Sequence, residues 1–556
     1  MRALRCKPEA IGYTDAAAAR TMAAVTPWET RIGEDHEVMS AVPSESKVRR
    51  SISGVRGTEE TLTGDEVERY ASAYGTYLRD VSDTNTIVVG RDTRPTSKAY
   101  LERVIDALLA GGWDVIDLGV VPTPTVQLAI HRLDVAGGAM VTASHNPIAY
   151  NGVKFLQNVE GHGMFLREDQ IKQVFAIHDE GRFDSRRRGE CRPVADMASE
   201  FSDPPYTSEY LSRSRSVLHV DNAVILDYHL HRVITAMGKD LDTIRARSFR
   251  VAMDGCGGAG IPIDYVLLDY LYAHVLPVND KPGVFSRGIE PTPANLEDLC
   301  RLMSGESSPF DVGFVTDCDN DRCVLVARDP DTGVYVPLEE DYTFAIAVDQ
   351  VLGTLSEGRT VVTNWSTSQM VKDICSAHHA NLRRVPTGEV YTASDAKHFH
   401  AAIAGEGSCA GVIDPRVGMG RDVLVAIWHV LAALAHKKDD LMTITRGYPH
   451  HAKTNCDQAT NLSPDGMRKI VERLQVFYAG KPDLAFMSRE DGLIVAFKDH
   501  SRLQIRSSNT EPLLRVRTSS PDSGKSAALA EEALKHIEKF ADQLNKEKES
   551  QSVSGG

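Results

Sequence analysis

The sequence predicts an α/β protein of three related units with parallel-rich sheets, followed by a smaller α+β unit. Three observations support this. Short β-branched runs lead into apolar-periodic stretches three times: Thr86-Ile-Val-Val-Gly90 before 99–109, Val251-Ala-Met-Asp254 before 261–271, and Val361-Val-Thr-Asn364 before 370–377. Each unit then carries a second apolar run that ends in a polar or glycine-containing loop, at Met140-Val-Thr-Ala-Ser144, Phe314-Val-Thr-Asp317 and Ile403-Ala-Gly-Glu406. Beyond residue 448 the pattern changes to a helix over 467–477, strand-like runs at 493–497, 503–506 and 513–517, and an amphipathic helix over 527–544.

On this reading residues 1–48 form a weakly ordered extension, 49–187, 188–331 and 332–447 the three related units, 448–545 the fourth unit, and 546–556 a flexible tail. Arg2, Arg5 and Lys7 are followed by Glu9 and Asp15 before any apolar core, a poor match to a secretory signal. The longest apolar stretch, 423–435, is too short for a membrane span. Nine cysteines lie scattered without a CxxC pair, so neither a zinc knuckle nor a disulfide scaffold is expected. A cytoplasmic protein without membrane partners is the expectation.

The 556 residues are 42% hydrophobic and 25% charged, which suits several packed cores. A formal charge of −15 argues against nucleic acid as a partner, although a local cationic cleft is compatible with it.

Ligands of open α/β sheets sit beyond the carboxyl ends of strands, so the loops there are the places to look for chemistry. In Thr142-Ala-Ser144-His145-Asn146-Pro147 a hydroxyl at a strand end is a candidate nucleophile or phosphate carrier, and the same residues also suit a plain turn. Asp317-Cys-Asp319-Asn-Asp321-Arg322 crowds three carboxylates, whose repulsion a cation would relieve. Oxygen ligands favour Mg²⁺ over Zn²⁺. An EF-hand needs Gly and Glu where Arg322 and Arg328 stand, so that alternative fails. Glu406 and Ser408 offer polar groups among glycines that let a backbone approach a ligand. Arg506-Ser-Ser508-Asn509-Thr510-Glu511-Pro512, with Arg515, joins guanidinium groups to neutral donors, a set suited to phosphate. Arg56, between glycines, is a further candidate anion contact.

Taken in order, Gly54-Val-Arg56-Gly57, the Ser144 loop, the Asp317–Arg322 loop, Gly405-Glu406-Gly407-Ser408 and the Arg506–Pro512 loop resemble the α-D-phosphohexomutase superfamily over about residues 49–545. Val121-Pro-Thr-Pro124 and Tyr150-Asn-Gly-Val-Lys154 flank the serine loop at family-like spacing. Val385-Pro-Thr-Gly-Glu389, Ile413-Asp-Pro-Arg-Val-Gly418 and Gly420-Arg-Asp422 are similar to the phosphoglucosamine mutase and archaeal-like phosphomannomutase branch. The loop at 405–411 departs from that branch by carrying Ser408 and one extra residue.

The resemblance implies a heart-shaped, four-domain enzyme with mixed sheets, a monomer or homodimer, that interconverts hexose 1- and 6-phosphates through a hexose bisphosphate. It implies that Ser144 carries the phosphoryl group, and that this phosphate, Asp317, Asp319 and Asp321 hold Mg²⁺. Arg56, His145 and Lys154 would take acid–base or charge-stabilising roles, and Arg322 would orient the transferred group. Glu406 and Ser408 would bind sugar hydroxyls; Arg506, Ser508, Asn509, Thr510 and Arg515 would hold the other phosphate. Phosphoglucosamine mutase-like activity is expected first, with phosphomannomutase/phosphoglucomutase activity as the close alternative. An Asp-dependent phosphatase and a non-catalytic sugar-phosphate binding protein are the more distant readings.

Overall fold

The computed structural model describes residues 48–201, 222–459, 462–507 and 513–554. Among them the strands form four sheets, each within one stretch of the chain. In the first, Thr86–Arg91 pairs in parallel with Asp114–Val120 on one side and with Gly137–Val141 on the other, and Gly137–Val141 then forms an antiparallel pair with Tyr150–Val159. The second sheet repeats the arrangement: Arg250–Asp254 lies parallel to His274–Val278 and Val312–Thr316, and the last of these turns back onto Cys323–Arg328. The third does so again with Thr360–Asn364, Asn381–Val385 and Ile403–Glu406, returning through Gly411–Ile413. The serine, aspartate and Glu406 loops therefore occupy one topological place, the reversal between the last parallel strand and its antiparallel neighbour.

The three expected strand-to-helix starts are present, with helices over Ser97–Ala110, Ile261–Tyr270 and Gln369–Ala377. The fourth sheet is wholly antiparallel and packs against helices Pro464–Ala479 and Ser523–Ser554.

Three elements cross the expected limits. Cys191–Pro193 joins the first sheet beside Asp114–Val120, so that unit runs past 187. Tyr335–Pro337 pairs with Cys323–Arg328, carrying the second unit past 331. The final helix continues to Ser554 where a flexible tail was expected from 546, and Arg473 pairs with Glu547 across the two helices at 2.7 Å. The expected extension over 1–48 lies outside the described residues apart from Val48.

One apolar cluster runs through the first three units, including Met140, Phe314 and Trp428. The fourth unit has its own core around Ile470, Leu503 and Ile537. The helix Val423–Lys437 explains the long apolar stretch. Asp422 caps it by accepting from Leu424 N at 2.9 Å, and residues 423–435 are buried on every side because the helix sits between units rather than on a surface. No helix among the described residues is long and apolar enough to cross a membrane.

Leu431 is fully buried in that helix. Leu431→Ala should cost about 2–5 kcal/mol through lost burial and the cavity left behind. A fall in the first chemical-denaturation midpoint, with the fourth unit's transition unchanged, is the expected readout.

Candidate functional site

The Ser144 loop is held in an uncommon conformation by a buried guanidinium. Ser144 has φ +53°, a left-handed value that costs a side-chain-bearing residue energy and needs external support. Arg94, 1% exposed, supplies it by donating to the carbonyls of Ser144, Asn146, Pro147 and Tyr150 at 2.6–2.8 Å. Asp92 accepts from Arg94 Nε at 3.1 Å and so fixes the guanidinium. The Ser144 hydroxyl, 1% exposed, then points at Asp317, donating to Oδ2 at 3.2 Å.

Asp317, Asp319 and Asp321 are fully or almost fully buried, and each offers an oxygen within 4.8 Å of the others. Burial and the charges of Asp319 and Asp321 push the Asp317 carboxyl well above the usual carboxylate range. Burial acts the same way on Asp321, but Arg421, Lys154 and Arg322 outweigh it and hold that carboxyl well below the range. Lys154 Nζ donates to Asp319 Oδ2 at 2.6 Å and to Asp321 Oδ2 at 3.2 Å. Thr123 Oγ1 donates to Asp319 Oδ2 at 2.6 Å. Asp319 Oδ1 and Asp321 Oδ1 are buried without a hydrogen-bond partner. Converging carboxylate oxygens with unused acceptor capacity fit a hard divalent cation.

Arg56, His145 and Arg322 face the same space. Burial lowers Arg56 to about 10, with Asp319 opposing the shift, and its Nη1 donates to Asn146 Oδ1 at 2.6 Å. Arg322 Nε lies 3.6 Å from Asp317 Oδ2 and 3.7 Å from Asp321 Oδ1. Arg322, burial and Arg56 together hold His145 well below the usual histidine range, favouring its neutral ring.

From the third unit, Glu406 Oε1 accepts from Asn364 Nδ2 and from the Gly388 amide, both at 2.9 Å, while Oε2 accepts from Arg421. Ser408 and Cys409 lie beside it on the cleft wall. The fourth unit supplies Arg506 and Arg515 to the same cleft. Asp491 ties these two units, accepting from Thr387 Oγ1 at 2.7 Å and Gln504 Nε2 at 2.8 Å, with Arg506 Nη1 at 3.6 Å. Lys453 also lines the cleft and pairs with Asp341, and burial pulls its pKa down to about 8.

A single cavity of about 650 Å³ is lined by Ser144, His145, Arg56, Lys154, Arg322, Glu406, Ser408, Arg506 and Arg515. The Asp317, Asp319 and Asp321 carboxylates meet Ser144 and Lys154 at its edge. Ser508, Asn509 and Thr510 lie outside the described residues. Sequence reasoning missed Arg94, Thr123 and Asp491 as working residues and gave Glu389 and Arg421 no role. The charged run Arg91-Asp-Thr-Arg94 at a strand end was the available signal for the first.

Family models described as phosphoglucomutase/phosphomannomutase α/β/α domain I, α/β/α domain III and C-terminal domain match residues 49–185, 339–451 and 459–536. A phosphoglucomutase/phosphomannomutase of Thermococcus kodakarensis is 28% identical over 493 residues, covering 87% of this chain and 97% of that protein. A protein of Methanopyrus kandleri named probable phosphoglucosamine mutase is 28% identical over 498 residues, covering 88% and 98%. The crystal structure of a phosphoglucomutase/phosphomannomutase family protein from Burkholderia thailandensis shares the fold, with a TM-score of 0.68 at 21% identity over 88% of this chain and 96% of that one.

Two outcomes follow from the geometry. Arg94→Met leaves Asp92 buried without its cation and four carbonyls without a donor, so a loss of about 3–5 kcal/mol in unfolding free energy is expected. The His145 ring, in the unphosphorylated and metal-free protein, should take up its proton at lower pH than a free histidine, with an NMR titration midpoint below about 6.5, because Arg322, burial and Arg56 disfavour its charged form.

Proposed function

Because this chain belongs to the phosphoglucomutase/phosphomannomutase family of α-D-phosphohexomutases, we propose that it interconverts hexose 1- and 6-phosphates through a phosphorylated Ser144 and a hexose bisphosphate, with phosphoglucosamine mutase-like activity. The observation that carries the reading is one cleft in which Ser144, set against three buried aspartates, shares the walls with Arg506 and Arg515 of the fourth unit.

The proposed step is a phosphoryl exchange. The bond from phosphorus to Ser144 Oγ breaks while a bond forms to a free sugar hydroxyl, whose proton passes to the neutral His145 ring. Ser144 Oγ leaves with the bonding electron pair and takes up that proton from the His145 ring, so the exchange balances. Arg56 and Arg322 offset the charge on the phosphoryl oxygens in flight. Lys154 carries a positive charge, since Asp319 and Asp321 outweigh burial and keep its pKa above the ordinary lysine value.

Asp317, Asp319 and Asp321, with an oxygen on Ser144, would hold Mg²⁺, which when bound neutralises phosphoryl charge. Glu406 and Ser408 would receive sugar hydroxyls. Arg506, Arg515, Ser508, Asn509 and Thr510 would grip the phosphate that is not transferred. After the first transfer the bisphosphate turns over, presenting its other end to Ser144, and the step runs in reverse. A cytoplasmic location suits this metabolic role.

Relatives carry both phosphoglucosamine mutase and phosphomannomutase names, so substrate preference is tested side by side. Purified protein primed with a hexose bisphosphate should convert glucosamine 1-phosphate faster than the mannose, glucose and N-acetylglucosamine 1-phosphates. Ser144→Ala should lower that turnover by at least about 10³-fold. Undiminished Mg²⁺-dependent turnover in Ser144→Ala would sink the phosphoserine mechanism.

A further inference from the structure

Arg421 reaches three loops at once. Its Nη2 donates to Asp321 Oδ2 at 2.6 Å, its Nε to Glu389 Oε2 at 2.9 Å and its Nη1 to Glu406 Oε2 at 3.0 Å. All four side chains are at most 10% exposed. A guanidinium presents its donors in a fixed fork, so these carboxylates cannot move independently. The stem of Arg421 lies across Gly411, where an added Cβ would come within 2.2 Å of Arg421 Cδ. Gly411 has no positive φ that would require glycine; the close passage of Arg421 is what excludes a side chain there. Gly411 also pairs with Glu406 in the hairpin that carries the loop.

We propose that Arg421 is a positioning residue through which the sugar-facing carboxylate Glu406 and the divalent-cation site at Asp317, Asp319 and Asp321 set each other's affinity. This rests on the reading that Glu406 meets the sugar and the aspartates hold the metal. The fork acts in opposite senses on its two partners. It aims Glu406, helping the sugar, and it places a positive charge against Asp321, which opposes a second cation. A hydroxyl that draws Glu406 away from Arg421 alters metal affinity, and by linkage the metal alters sugar affinity by the same factor.

The test titrates Mg²⁺ calorimetrically into the unphosphorylated full-length protein and measures KM for the hexose phosphate that the wild type turns over. Arg421→Met should tighten Mg²⁺ by about tenfold and raise KM by about tenfold. Arg421→Lys keeps the charge without the fork, so Mg²⁺ affinity should stay within about twofold while KM still rises. Gly411→Ala, which retains every charged group, should shift both quantities in the same directions as Arg421→Met. Weaker Mg²⁺ binding in step with the raised KM would mean a merely structural role and overturn the proposal, as would no change in either quantity. A wild type that binds Mg²⁺ but turns over no hexose phosphate would sink the mutase reading instead. Sugar-phosphate Kd then replaces KM, and the same opposed shifts decide the role of Arg421.

Discussion

Three carboxylates gathered at the end of one buried strand cannot all remain ionised without opposite charge close by. Asp317, Asp319 and Asp321 obtain it from different parts of the chain: Lys154 from the first sheet, Arg322 from their own loop and Arg421 from the third unit. Each cation is itself largely removed from water and would be costly there alone. Charge balance therefore requires the first three units to meet at one point, and their common apolar core keeps them there. Ser144 depends on the same arrangement, since its hydroxyl donates to Asp317 while Arg94 holds its backbone left-handed.

The elements legible in the sequence were those with strong local signals. Strand starts at Thr86, Val251 and Val361 and the loops at 144, 317 and 406 follow from apolar runs ending abruptly in polar residues. The common topological place of those loops was only half visible, because the antiparallel return strand Gly411–Ile413 is three residues long and carries no periodicity of its own. Two strands beyond the expected limits at 187 and 331 went unread for a related reason. Cys191–Pro193 and Tyr335–Pro337 are short edge strands that long-range pairing alone defines.

The same distinction holds within the site. Ser144 and the aspartates stand out because their spacing is local. Arg94, Glu389, Arg421 and Asp491 act across long stretches of chain: Arg421 meets Glu406 at a separation of 15 and Asp321 at 100, and Asp491 meets Thr387 at 104. A lone arginine or aspartate in sequence carries no mark of such a partner. The folded arrangement makes Arg421 a bridge between loops that the sequence presents as separate motifs.

The cleft's charge must also be weighed against that of the whole chain. A protein with a formal charge of −15 repels a phosphosugar at long range, and at ordinary ionic strength that repulsion fades over about 8–10 Å. Inside the cleft, Arg56 and Arg322 stand at the Ser144 end and Arg506 and Arg515 on the fourth unit's wall. A monophosphate meets one of these groups at a time. On the proposed mechanism a bisphosphate would present a dianion to each group in either orientation, because both of its ends are of the same kind. On the proposed mechanism, that two-ended complementarity retains the intermediate while it turns over. The surrounding negative field adds little to its escape, since the cationic groups lie closest to it.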